Sequence, residues 1–441
     1  MKKRSNNVLI TPSVFLLLSL LFQGCLKDSC KNTQTFTQWT PVYISDAEMN
    51  LPPTYEGARP LVNPGKIYLY GQYLLINELK EGIHVFDNSN LSAPLNIGFI
   101  KIVGNVDMTI KDNTLLADSY DDLLTMDISV ITAPKLLKRT DAVFPASFFR
   151  DPLRGWLVDY KADKLTREID CTDPRLGGNG FNRGWFMEGD VVFAMDRASA
   201  NSAFSTTPSV SARPASVGGS MARFTTVGDY LYAVDVSSLK TFSIKQLDNP
   251  TLAITNNLGW GIETIFPYKN NLFIGSTSGL FIFNIDVPSA PKYLSNFSHA
   301  RRCDPVFVDG NTAYVTLNGT GACGGNSSQM DVLDVSNLSV PRLIKTYPMS
   351  QPKGLSILDK TLYLCDDGLK VFNIENNTLI DKNLKAHVQG FDAYDVISFV
   401  EQTGSRKQNI AMVIGKTGFT QFDVTDPNAP KELSRIPVVR N

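Results

Sequence analysis

Residues 279–294 read GLFIFNIDVPSAPKYL. Leu280 to Phe283 are apolar at consecutive positions, the pattern of a β-strand covered on both faces. Asn284 ends the run, and a Pro-containing turn leads into KYL. The same phrase returns as GIHVFDNSNLSAPLNI from Gly82, MDVLDVSNLSVPRLI from Met330 and GFTQFDVTDPNAPKEL from Gly418. Asp, Asn and Ser side chains can close a turn on their own backbone, and Pro can open a strand at a sheet edge, where its missing N–H is tolerated. The chain therefore repeats one unit: a buried strand, a turn and an outer strand.

Aligning the copies on the polar residue gives Asp87, Asp127, Asp170, Ser243, Asn284, Asp334, Asn373 and Asp423. Neighbouring marks lie 39 to 50 residues apart, except for 73 between Asp170 and Ser243. A Pro stands seven positions later in six of the eight copies; the third has Pro174 at four, and the seventh has Ile380 instead. A period of this length marks a propeller or a solenoid. Each unit holds four strand signals, as in IETIFPY, LFIGS, GLFIFNID and PKYLSNF, and no helical periodicity of useful length competes. The expectation is an all-β fold, a β-propeller of four-stranded blades around a central channel, occupying residues 61–441. Eight copies predict eight blades, with seven as the alternative. The uncertain region follows the degenerate third copy, where a Ser- and Ala-rich stretch near 198–220 reads as a loop insertion. Residues 25–60 read as a tether in which QWTPVYIS could pair with the last blade and close the ring.

With 441 residues at 43% hydrophobic, the chain can bury a large core. Its 42 basic and 43 acidic residues give a net charge of -1, which provides no electrostatic footprint for nucleic acid. Lys2, Lys3 and Arg4 precede an apolar run from Val14 to Phe22, shorter than the roughly 20 residues a spanning helix needs. Residues 1–24 therefore read as a signal peptide. Its FQGC ending resembles a lipoprotein signal, which implies cleavage before Cys25 and acylation of that residue. Leu26, where an inner-membrane retention signal would place Asp, directs the expectation to the outer membrane, on either side of it. The other cysteines are Cys30, Cys171, Cys303, Cys323 and Cys365, an odd number in an exported chain. Cys303 and Cys323 are the expected disulfide, because the hairpin VFVDGNTAYVTL brings the chain back between them.

The phrases LLTMDIS, MDVLDVS and FIFNID, each followed by a Pro turn, resemble the LVIVD repeat of bacterial and archaeal surface proteins. From about Pro64 onward the chain is similar to LVIVD-repeat lipoproteins of Bacteroidetes. The resemblance implies a propeller at the cell surface and carries no catalytic motif to transfer.

The chain has three His residues and none of G-x-S-x-G, H-E-x-x-H or C-x-x-C. His84, inside GIHVFD, reads as a packed, hydrogen-bonded imidazole. In a four-stranded blade, the link to the next inner strand and the link from second to third strand emerge on one face. That face receives Glu78, Asp118, Asp159, Asp366 and Asp395 among others. Nearest the axis are Asp107, Glu263, His299, Arg301, Asp304, His387 and Asp392, the candidate ligand face over an axial mouth. A divalent cation could sit among them, but no spacing selects a ligand set, and no cofactor is predicted. The leading expectation is a monomeric, lipid-anchored binding or scaffolding propeller whose partner is an extracellular or periplasmic protein or glycan. The alternative is a hydrolase or lyase acting on an extracellular glycan or lactone at an axial acidic and His-lined site.

Overall fold

The computed structural model describes residues 31–144, 149–170, 185–188, 191–194, 216–298, 305–319, 328–403 and 406–439. The chain divides into two compact units, one of 1–43 with 157–197 and the other of 44–156 with 198–441.

The larger unit contains seven four-stranded antiparallel meanders. They span 64–101, 108–140, 224–257, 262–298, 306–349, 355–388 and 393–437, and are numbered blades 1 to 7. Each gap between successive blades holds a buried apolar cluster. Blade 1 packs on blade 2 through Leu75, Ile83, Ile110 and Leu115. Blade 7 packs back on blade 1 through Ile397, Met412, Ile67 and Leu74. The seven blades thus form a closed β-propeller. Both faces of the interior sheets are covered, as the consecutive apolar runs require.

The repeated turn is built as its residue types indicate. In six blades the carboxylate or amide of Asp87, Asp127, Asn284, Asp334, Asn373 or Asp423 accepts the N–H two residues on, at 2.8–3.0 Å. The next residue, buried in every blade, donates its N–H to a carbonyl of the first hairpin, as from Ile128 to Asn113 and from Val424 to Asn409, both 2.8 Å. The turn is thereby fixed on both sides.

Eight sheets are present among the described residues, but the one containing the third copy is built differently. Asp170 ends the long strand Gly155–Asp170. Residues 159–164 of that strand are exposed and read DYKADK, with no pair of adjacent bulky aliphatics to bury on both faces. This sheet belongs mainly to the smaller unit, and the larger unit holds seven four-stranded blades among the described residues. QWTPVYIS also differs from expectation. It lies in Lys31–Ile44, which pairs with Val191–Ala194 and aligns Trp39 with Val192.

The ring closes by other means. Leu61 bridges Val438, and Val439 N–H donates to Leu61 C=O at 2.8 Å. Asn88 and Gln421 exchange two amide hydrogen bonds of 2.9 Å each across the gap between blades 1 and 7. Blade 1 also gains an outer strand, Thr54–Glu56, whose Tyr55 hydroxyl donates to Ile97 C=O at 2.8 Å.

Candidate functional site

The axis is occupied by the protein itself. Ser216–Gly218 pairs with the axial edge of the innermost strand of blade 1. The following Gly219–Ala222 is buried. Asp395 of blade 7 accepts both the N–H and the hydroxyl of Ser220, each at 3.0 Å. The same hydroxyl oxygen accepts Leu355 N–H of blade 6 at 2.6 Å. Ala222 C=O accepts Ile265 N–H of blade 4 at 2.9 Å, and Arg223 N–H reaches Asp107 of blade 2 at 2.6 Å. A Cβ on Gly219 would stand 2.0 Å from an Asp395 oxygen, so only glycine fits at this crossing.

Around this segment the residues that open the inner strands alternate in sign: Asp395, Lys66, Asp107 and Arg223, in blades 7, 1, 2 and 3. Lys66 forms a buried ion pair with Asp107. Burial pushes the Lys66 ammonium down to about 8, with Asp107 opposing it. Asp395 is pushed well above the carboxylate range by burial, against the Ser220 and backbone hydrogen bonds. Among the described residues, the axis is thus filled by Gly219–Ala222 and the charges beside it are compensated. Asp107 serves the packing of the ring, and the axial pocket of the catalytic alternative has its centre taken by Gly219–Ala222.

Several carboxylates of this loop face hold the inter-blade links. Asp118 accepts Val106 N–H at 2.7 Å and Asp107 N–H at 2.9 Å, and burial raises it to about 6 despite those bonds. Glu78 accepts Val62 N–H at 3.1 Å and that of Asn63, and also bonds His84 at 2.9 Å. Burial pushes Glu78 up, but His84 and the two N–H groups outweigh it and leave the carboxyl below its usual range. Asp366 accepts Gln351 N–H at 2.6 Å and Ser350 N–H at 3.1 Å, and pairs with Lys370 at 2.7 Å. One carboxylate after the second strand thus anchors the link that precedes the same blade.

On this loop face, between blades 6 and 7, lies a cavity of ≈ 610 Å³. Four links line it: Ser350, Gln351 and Lys353; Asp367 and Gly368; Gly390, Phe391 and Asp392; and Thr417. Lys353 Nζ stands 2.6 Å from Asp392, whose second oxygen is 3.6 Å from Lys416 Nζ. Asp367, 64% exposed, accepts from Gln389 Nε2 at 2.9 Å. His387 Nε2 donates to the Asp367 carbonyl at 2.7 Å, which fixes the proton on that nitrogen. Gly368 and Gly390 both have positive φ, 97° and 93°, so the two turns need glycine. The walls are supported from below: Asp366 holds Ser350 and Gln351, and Lys353 N–H donates to Cys365 C=O at 2.8 Å.

The structure therefore separates the expected ligand face. His387 and Asp392 meet at the groove between blades 6 and 7, Asp107 lies on the axis, and Glu263 opens blade 4 partly buried. His299, Arg301, Asp304, Cys303 and Cys323 lie outside the described residues, as do Cys25, Cys30 and Cys171. Cys365 is buried at the end of a blade 6 strand, and burial pushes its thiol up. Among the described residues no three His, Cys, Asp or Glu side chains form a metal-ligating group. Lys353, Lys416, Gln351 and Thr417 are not among the residues that the sequence marks through its carboxylates and imidazoles. The available signal was position, since Lys353 immediately precedes an inner strand, as Asp107 and Asp392 do.

No family model and no curated protein matches the sequence. Among solved structures, the chain is similar to a functionally unknown protein from Desulfotomaculum acetoxidans DSM 771, at 13% identity and TM-score 0.49, covering 84% of this chain and 95% of that one. It is also similar to the periplasmic gluconolactonase PpgL of Pseudomonas aeruginosa, at 11% identity and TM-score 0.48, with coverage of 92% and 97%. A putative 6-phosphogluconolactonase from Bacteroides fragilis NCTC 9343 aligns at 11% identity and TM-score 0.45, over 94% and 97%.

Proposed function

We propose that the protein is a binding propeller of the bacterial outer membrane, held there by acyl chains on Cys25, which receives its ligand in the cavity between blades 6 and 7. The observation that carries this reading is the cavity itself: ≈ 610 Å³, within the range of roughly 300–1,000 Å³ typical of small-ligand sites, on a face where Glu78, Asp118 and Asp366 are committed to the scaffold. Its side chains differ from those at the axis in being open to a visitor. Asp367, Gln351, Ser350 and Thr417 are all exposed. Glycine-dependent turns and the buried Asp366 hold them in place, so binding would order little additional chain.

Replacing Thr417 with Trp would fill the cavity from an exposed turn without touching the core. In whole cells expressing the full chain, chemical crosslinking followed by identification of the crosslinked envelope components should lose its specific product with Thr417→Trp and keep it with an exposed control such as Leu153→Trp. Equal crosslinking by both variants would remove the cavity from consideration. Cys25→Ser should release either form from the membrane fraction, and continued retention would remove the anchor.

A further inference from the structure

We infer that the cavity takes a neutral polyhydroxylated ligand, a sugar unit of a glycan, in preference to an ion. This rests on the cavity being the binding site and names the chemistry it selects. Lys353, Asp367 and Asp392 line the cavity, and Lys416, beside Asp392 at 3.6 Å, adds a second ammonium, so two positive and two negative groups offset each other there. They are also partly engaged. Lys353, only 14% exposed, is in contact with Asp392 at 2.6 Å, and Lys416 leans on the other oxygen of the same carboxylate. An entering anion would have to take an ammonium from Asp392 while lying near two carboxylates. An entering cation that took Asp392 would have to displace the two lysines in the same way. Either would separate a partly buried pair, and a member left unpaired away from water is costly.

A hydroxyl group meets no such conflict, because it donates one proton and accepts on two lone pairs. Asp367 and Asp392 offer acceptors with unused lone pairs. Lys353, Gln351, Ser350 and Thr417 offer donors around the same space. A ring bearing several adjacent hydroxyls can therefore bond to both walls and leave the Lys353–Asp392 pair in place. Gly390 strengthens the assignment, since no atom lies within 4 Å of where its Cβ would be. The main chain is bare at this wall, and a sugar ring can approach it closely.

The test uses the full-length protein and saturation-transfer NMR or calorimetry. The neutral probes are glucose, galactose, N-acetylglucosamine and maltose; the charged probes are glucuronate, inorganic phosphate and spermidine. The inference expects at least one neutral sugar to bind, with affinity changing less than about twofold between roughly 0.05 and 0.5 M NaCl. The combined Asp367→Asn and Thr417→Val variant, both exposed sites, should bind that sugar about tenfold or more weakly while melting like the parent. Failure of every neutral sugar at about 10 mM, where sites weaker than that are not meaningful, or salt-sensitive binding of a charged probe alone, overturns the inference. Loss of envelope crosslinking in Thr417→Trp with no sugar bound by the parent would retain the cavity and reject its sugar chemistry. Sugar binding undiminished in Thr417→Trp would reject the cavity itself.

Discussion

Asp395 enters the ring axis with one carboxyl oxygen bonded to Ser220 and Val396 N–H, while the other, Oδ2, is buried with no hydrogen-bond partner among the described residues. Asp118 is a second buried carboxyl, raised to about 6. A carboxyl whose folded pKa is raised favours the fold in its protonated form. That contribution is complete below the unfolded value, about 3.9, and is lost as pH rises through the folded value. Asp118→Asn, which preserves an acceptor oxygen, should therefore gain stability relative to the parent between pH 4 and 7. The gain should be up to about 3 kcal/mol, since one pKa unit corresponds to ~1.4. Urea unfolding at both pH values measures it, and a difference between the proteins that does not vary with pH would contradict the assignment. At this scale the sequence was only partly legible. It placed Asp107 before an inner strand, but that Lys66, from the preceding blade, would neutralise it depends on how two blades stack.

Elements were more legible where their bonds are local. The turn after each third strand is closed by a side chain acting two residues away, so its residue types alone signal it. The inter-blade links were less legible because their anchors are remote: Val106 bonds a carboxylate 12 residues on, and Ser350 one 16 residues on. The seam between blades 7 and 1 shows a further contrast. Asn88 occupies the position that holds Ile or Val in the other blades, such as Ile128, Ile285 and Val424, and its amide is matched to Gln421. A buried amide that loses its partner retains the full cost of desolvation, whereas replacing both with apolar groups can be nearly neutral. Asn88→Ile or Gln421→Val alone should each cost about 1–3 kcal/mol, and the double variant less than their sum. Additive losses in chemical denaturation would show that the two amides do not act as a pair.

For the whole molecule, repeat counting gave the architecture: eight sheets are described, seven of them four-stranded blades of the larger unit. The third copy keeps the polar mark at Asp170 but not the apolar strand before it, and burial between blades depends on that strand. The filled axis was not legible at all. SVGGSMAR, residues 216–223, carries little hydrophobic signal, and its place follows from small residues passing closely beside Asp395 and from backbone bonds to several blades. In the proposed function, recognition occurs between blades 6 and 7 while Gly219–Ala222 stays seated on the axis. Amide hydrogen exchange of the full chain, with and without the sugars, tests it most directly. The amides of Ser220, Arg223, Ile265 and Leu355 should be among the slowest and indifferent to ligand, while peptides covering 350–353 and 390–392 should gain protection. Rapid exchange at the axis, or ligand protection appearing there and not at the cavity, would contradict the account.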